Sequence, residues 1–305
     1  MKDILVVGSI NMDLVINVDE MPKKGQTILG ENFNQIPGGK GANQAVAVAR
    51  LGGNVAMIGK VGQDNFGNKL IQTMNSDGVD TSFIKSEKDI STGVALITVD
   101  RSGENSIVVA PGANYEIEKK DIDKAKKLIE YSKIVITQLE IPIEIVEHTL
   151  SKAKENGKYT ILNPAPAQVL DRDIIKNIDL LTPNETELEI LSGISIKNEE
   201  DIRKAAQKLI DLGIKELIIT LGDSGCIYVN KNTFKKYDAY KVVPVDTTGA
   251  GDSFNAAIAV GLSHEKDIDE IIDFALKVGA LAVTKEGAQS SLPYIDEVLD
   301  FKGRY

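Results

Sequence analysis

Cysteine and histidine are scarce in this chain of 305 residues, and tryptophan is absent. With Cys226 as the lone cysteine, no intrachain disulfide can form and a cysteine-based metal site is excluded. His148 and His264 are the only imidazoles, which argues against a zinc enzyme or a histidine-based triad. Basic residues are also short: 35 Lys and Arg stand against 45 Asp and Glu, a formal charge of −10. Nucleic acid and anionic membranes recruit basic faces, so neither is an expected partner. No apolar run reaches membrane-spanning length, and a strand-like run starts at residue 4 without the layout of a signal peptide. These shortages point to a soluble, cytoplasmic protein.

What is present reads as a folded α/β chain. Hydrophobic residues make up 42% and charged residues 26%, enough to build one large core or two ordinary ones. Near-continuous apolar runs rich in β-branched residues lie at 4–7, 55–58, 134–137, 159–163, 180–182 and 216–220. Helix-period segments at 41–51, 67–76, 144–156, 185–191 and 199–212 separate them. Strand, helix, strand at this spacing predicts a doubly wound, mostly parallel sheet flanked by helices. Past Asp252 the pattern gives helices at 253–262 and 267–284, then a polar turn and a C-terminal helix.

Two stretches break the rhythm. Residues 14–34 and 92–110 alternate in polarity (Val94, Leu96, Thr98) with no helix between, and predict about four antiparallel strands outside the main sheet. Such a small β-sheet can cover a cleft as a lid. The expected division is a main α/β domain of 1–13, 35–91 and 111–305, with the lid at 14–34 and 92–110. The lid's apolar free face suits a homodimer with a second copy.

Five segments carry chemistry. The sharpest is Asp246-Thr247-Thr248-Gly249-Ala250-Gly251-Asp252-Ser253-Phe254, which follows a strand-like run at 241–245 and opens an apolar helix. A turn of small residues at a helix start lets successive amides converge on one anion. Asp252 beside it is placed to accept a proton from a hydroxyl, or else simply caps the helix. The second, Gly38-Gly39-Lys40-Gly41-Ala42-Asn43-Gln44-Ala45, combines close backbone approach with polar groups suited to hydroxyls. It lacks the spacing of a Walker A loop. The third, Gly8-Ser9-Ile10-Asn11-Met12-Asp13, leaves the C-terminal end of the first strand, where open α/β sheets bind ligands. Asn11 and Asp13 there can hold a vicinal diol or form an Asx-turn. The fourth, Thr182-Pro183-Asn184-Glu185-Thr186-Glu187, offers Asn184 and Glu187 to the water shell of a nucleotide-bound magnesium, or a capping box. The fifth, Thr220-Leu221-Gly222-Asp223-Ser224-Gly225-Cys226, is a hairpin-type turn or a loop passing nucleotide phosphates.

Together, and in this order, the segments resemble the ribokinase family, the PfkB-type carbohydrate kinases, over essentially the whole chain. The Gly-Gly-Lys-Gly-Ala-Asn run matches the family's N-terminal signature and residues 246–254 its C-terminal one. The resemblance implies an ATP-dependent kinase acting on the 5-hydroxyl of ribose. Deoxyribose, fructose, a nucleoside or a sugar acid are alternative acceptors. It further implies that Asp252 is the base and that the amides of Gly249, Ala250 and Gly251 form the anion hole. Asn11, Asp13, Gly39, Lys40, Gly41, Ala42, Asn43 and Glu140 would hold the sugar. Asn184 and Glu187 would serve the magnesium–phosphate side. Thr220, Leu221, Gly222, Asp223, Ser224, Gly225 and Gly251 would contact ATP. A potassium ion would be bound by Asp246, Thr248, Gly287, Ser291 and the carbonyls of Ala282 and Lys285. Residues 241–245 and 284–291 would flank nucleotide and cation. A non-catalytic sensor on the same fold has no need of Asp252. A dehydrogenase is disfavoured because no G-x-G-x-x-G follows the first strand.

Overall fold

Residue 4 begins an all-apolar strand and the rest of the fold is laid down around it. The computed structural model describes residues 2–303. Its strands are β1 (Ile4–Val7), β2 (Asn11–Asn17), β3 (Glu31–Gly38), β4 (Val55–Gly62), β5 (Asp80–Glu87), β6 (Gly93–Val99) and β7 (Asn105–Ala110). They continue with β8 (Ile134–Gln138), β9 (Tyr159–Asn163), β10 (Leu180–Leu181), β11 (Glu216–Thr220), β12 (Cys226–Asn230) and β13 (Phe234–Tyr237). The helices are α1 (Lys40–Arg50), α2 (Asn65–Ser76), α3 (Lys119–Lys124), α4 (Lys126–Tyr131), α5 (Ile143–Glu155) and α6 (Arg172–Ile175). They end with α7 (Glu185–Ser192), α8 (Glu199–Leu212), α9 (Ala250–Ser263), α10 (Ile268–Ala282) and α11 (Ile295–Asp300).

The large sheet has nine strands in the order β13-β12-β11-β10-β9-β8-β1-β4-β5. It is parallel from β11 to β5, and β12 and β13 add an antiparallel edge. Alternation along β1 explains why helices cover both faces. Ile4 and Val6 enter one core with residues of α1, α9 and α10, whereas Leu5 and Val7 enter a second core with residues of α5 and α8. All four are fully buried, each contributing about 1.5–3 kcal/mol relative to exposure. A strand buried on both faces has no polar side, which is why these runs are continuous rather than alternating.

The second sheet has four strands in the order β3-β2-β6-β7. Its outer pairs, β2–β3 and β6–β7, are antiparallel as the alternation predicts. Its central pair, β2–β6, is parallel, because two hairpins drawn from separate stretches meet with their first and third strands running the same way. The sheet also begins at Asn11 and ends its first hairpin at Gly38. Asn11 and Asp13 are therefore on a strand of the small sheet, at its junction with the large one.

One expected strand does not form. Residues 241–245 lie outside both sheets. Pro244 has no N–H to give a ladder, and Val243 and Val245 are exposed, so the apolar letters there are not a buried row. Val245 N–H instead donates to the Val283 carbonyl at 2.7 Å. No helix among the described residues is long and apolar enough to cross a membrane.

Candidate active site

The strand ends β1, β8, β9, β10 and β11 point the same way, and the polar residues that follow them share one edge of the sheet. Helix α1 starts here with Gly39 as N-cap (φ 88°) and no side-chain cap of its own. Glu140, just past β8, supplies the missing carboxylate: its Oε2 accepts from Lys40 N–H at 3.1 Å and from Ser9 Oγ at 2.5 Å. Ser9 Oγ in turn accepts from Gly41 N–H at 3.3 Å. Free amides and the helix dipole favour an anion at this position. The segments at 8–13, 38–45 and Glu140 are thus one construction.

Helix α9 begins three residues earlier than its periodicity predicts, with Gly249 as N-cap in the left-handed region (φ 79°). Asp252 therefore lies in the first turn. It is 6% exposed and does not cap the helix. Its Oδ2 accepts from Asn43 Nδ2 at 2.9 Å and its Oδ1 from Gln44 Nε2 at 3.2 Å. Gln138 Nε2 donates to Gln44 Oε1 at 2.6 Å, which fixes the Gln44 amide with its NH2 toward Asp252. Burial raises the Asp252 pKa, and Lys40 and the Asn43 hydrogen bond only partly oppose it. Burial together with Glu140 and Asp252 pushes Asp13 up to about 7. Burial alone would lower the Lys40 pKa, but Asp252, Glu140, Glu187 and Asp13 around it outweigh that and raise it. Asn43 Oδ1, buried, has no hydrogen-bond partner among the described residues.

The other three segments lie alongside. Asn184 and Glu187 form a capping box on α7: Asn184 Oδ1 accepts from Glu187 N–H at 2.8 Å, and Glu187 Oε2 from Asn184 N–H at 2.9 Å. Asn184 is bridged to Thr220, and Thr220 N–H donates to the Pro183 carbonyl at 3.0 Å, so the fourth and fifth segments adjoin. Leu221, Gly222, Asp223, Ser224 and Gly225 form the turn of the β11–β12 hairpin, with a 3-10 turn over Gly222–Ser224. Asp246 Oδ1 accepts from Thr248 N–H at 2.8 Å and Oγ1 at 2.6 Å, and its Oδ2 accepts from Gly287 N–H at 2.8 Å. Ser291 Oγ donates to the Ala288 carbonyl at 2.8 Å and lies 3.5 Å from the Thr248 carbonyl. A Cβ on Gly249 would come within 3.2 Å of the Ala288 carbonyl, so the loop after α10 packs directly under the Gly249 turn. Ala282 ends α10 and its carbonyl accepts from Lys285 N–H at 3.3 Å; the Lys285 ammonium pairs with Glu297 at 2.5 Å. Among the described residues no three His, Cys, Asp or Glu side chains cluster to hold a metal.

Gln138 and Asn163 also belong to this site, although no motif in the sequence points to them, and Ser9 and Gln44 join them from within the third and second segments. Gln44 Nε2 also donates to Asn163 Oδ1 at 3.1 Å. Three of these four residues have one visible signal: a polar side chain at or just past the end of an otherwise apolar strand. Gln44 lies within the second segment, but its partners, about a hundred residues away or more, leave no such mark.

A buried carboxylate at a glycine-rich helix start, at the strand ends where a small second sheet joins the large one, is the layout of a carbohydrate kinase. Residues 1–295 match the family model described as pfkB family carbohydrate kinase, and the chain belongs to that family. It is similar to a ribokinase of Haemophilus influenzae, 43% identical over 98% of each chain. A deoxyribokinase of Salmonella typhi is 37% identical, again over 98% of each. Among solved structures, Arabidopsis thaliana ribokinase complexed with ribose and ATP superposes with a TM-score of 0.92. Its sequence is 31% identical, and the match covers 99% of this chain and 100% of that one.

Proposed function

We propose that this chain transfers the γ-phosphoryl group of ATP to the 5-hydroxyl of D-ribose, giving ribose 5-phosphate and ADP. The observation that carries the reading is Asp252: a buried carboxylate gripped by two neutral amides at a helix start that has no side-chain cap. The two amides hold the group in place, and burial raises its basicity against the opposing effects of Lys40 and of the amide hydrogen bonds. In the reaction Asp252 takes the proton of the sugar hydroxyl as its oxygen bonds to the γ-phosphorus and the bond to ADP breaks. The amides of Gly249, Ala250 and Gly251 donate to the transferring group, whose charge grows in the transition state. Asn11, Asp13, Gly39, Lys40, Gly41, Ala42, Asn43 and Glu140 hold the sugar, with Asn43 Oδ1, which has no partner among the described residues, left to accept from a hydroxyl. Thr220, Leu221, Gly222, Asp223, Ser224, Gly225 and Gly251 lie along the nucleotide.

Two ions fit the donors present. Glu187 keeps one carboxylate oxygen outside the capping box, and with Asn184 it suits the water shell of a magnesium ion brought in on the nucleotide. That ion supplies neutralisation of phosphate charge. Asp246, the Thr248, Ala282 and Lys285 carbonyls, Gly287 and Ser291 form an all-oxygen, singly charged set that suits potassium. The small sheet acts as a lid that excludes competing water, and it pairs with a second copy through its apolar face. An ATP-dependent reading goes with a cytoplasmic site of action, where ATP is made.

The reading is tested by ADP release with ribose, 2-deoxyribose, fructose and a nucleoside, each with ATP and magnesium, in potassium and in sodium. Ribose is expected to give the highest kcat/KM, and potassium the higher rate. A preference for 2-deoxyribose would reassign the acceptor, and release with none of the four would remove the sugar-kinase reading.

A further inference from the structure

Asn11 opens β2 at the junction of the two sheets, and a second asparagine, distant in sequence, decides which way its amide faces. Asn114 follows β7 in a 3-10 turn (Gly112–Glu116) and is 1% exposed. Its Oδ1 accepts from Ile10 N–H at 2.9 Å, and its Nδ2 donates to the Ile10 carbonyl at 3.2 Å. A main-chain N–H can only donate and a carbonyl can only accept, so these two bonds leave Asn114 one orientation. Its Nδ2 also donates to the Asn11 side chain, at 2.7 Å, and the atom it meets must therefore be Asn11 Oδ1. Asn11 Nδ2 then points the other way, with no protein partner among the described residues. A Cβ on Gly93 would lie 2.2 Å from Asn11 Oδ1 and 2.3 Å from Asn114 Nδ2, so this contact fills its space completely.

We propose that Asn114 is a positioning residue that locks Asn11 as a hydrogen-bond donor to the substrate, so that the pair Asn11 and Asp13 offers one donor and one acceptor to a diol. The inference rests on the sugar-kinase reading and adds the polarity of recognition: a ligand hydroxyl oxygen accepts from Asn11 Nδ2 while its neighbour donates to Asp13. Asn114 touches no reacting atom and acts only through Asn11. It is also the point where the chain leaving the small sheet is tied back to the chain entering it, so the lock forms only when both crossings are in place.

Asn114→Asp is nearly isosteric and, assayed at a pH where the introduced carboxylate is ionised, keeps the acceptor for Ile10 N–H but donates to nothing. The Asn11 amide is then driven to turn, placing its Nδ2 on the introduced carboxylate and an acceptor toward the sugar. Ribose KM is expected to rise about tenfold, the scale of one lost hydrogen bond, with kcat and the ATP KM within about twofold. Asn114→Ala frees the Asn11 amide without inverting it and is expected to raise ribose KM less than Asp does. A packing role predicts the opposite order, since Ala removes volume and Asp does not. In an Asn11→Ala background either substitution should leave ribose KM unchanged. Should Asn114→Asp not fold, Asn114→Ala measured with and without Asn11→Ala still separates positioning from packing. Equal effects in both backgrounds, Ala worse than Asp, or an ATP KM that moves as far as the ribose KM would each overturn the proposal. Loss of the sugar-kinase reading itself shows separately, as wild-type protein inactive on every acceptor.

Discussion

Four carboxylates, Asp13, Glu140, Glu187 and Asp252, stand within electrostatic reach of one ammonium, that of Lys40. Burial first, and then the like charges of Glu140 and Asp252, destabilise an ionised Asp13 in the empty site, and its carboxyl is pushed from 3.8 to about 7. Because the folded value is the higher one, the folded state holds the proton more tightly. The associated stability is full below 3.8, falls as pH rises toward 7, and is gone above it. Asp13→Asn should therefore melt with wild type near pH 4, gain over it as the pH rises to about 7, and keep that gain at higher pH. Scanning calorimetry across that range checks this; a gain at low pH that vanishes at high pH would reverse the assignment. The same substitution should weaken ribose binding, since the proposed reading makes the ionised Asp13 the acceptor of the diol pair.

Elements bring these residues together by their ends rather than their faces. The starts of α1 and α9 meet through the Asn43 and Gln44 bonds to Asp252, and the far end of α1 is tied down by Arg50. Its guanidinium grips Asp77 at 2.8 and 3.0 Å and donates to the carbonyls of Gln289 and Leu292 at 2.6 and 3.0 Å. It also stacks on the Tyr294 ring at 4.9 Å. Those carbonyls belong to the loop that underlies Gly249. Arg50→Ala strands a largely buried carboxylate and two carbonyls and should lower unfolding free energy by about 3 kcal/mol. Arg50→Lys should recover only part, because one ammonium cannot replace a five-donor fork; urea titration measures both, and full recovery by Lys would contradict the geometry. At this scale the sequence was a good guide where a strand is buried on both faces, because continuous β-branched runs leave no other reading. It was a poor guide at 241–245, where Pro244 and two exposed valines imitate such a run, and at β5, whose mixed polarity hides a real edge strand. Of the site, the glycine-flanked segments and Glu140 were legible. The partners of Gln44, and Asn114 altogether, were not, since these contacts join residues about a hundred positions apart or more.

At the scale of the whole molecule, the net charge of −10 sets the problem that the site solves. A polyanionic nucleotide approaches a negative protein, so local amides and bound cations must provide the attraction. The small sheet presents a second whole-molecule feature. Leu96, Ile107, Val108 and Val109 on its neighbouring strands β6 and β7 are all about half exposed or more, as is Phe33 on β3. Leu96 and Val108 are register partners on one face and Ile107 and Val109 lie on the other, and exposed apolar residues of this kind favour self-association. Light scattering should give the mass of two 33.0 kDa chains, and Val108→Asp should give one; a wild-type monomer would leave the lid face without its proposed partner. The proposed chemistry stands on Asp252, and the most direct measurement is ribose-dependent ADP release by Asp252→Asn beside wild type, with folding checked by circular dichroism. A normally folded variant whose turnover falls by at least about a hundredfold is expected. Turnover close to wild type in that variant would contradict the role of Asp252 as the base.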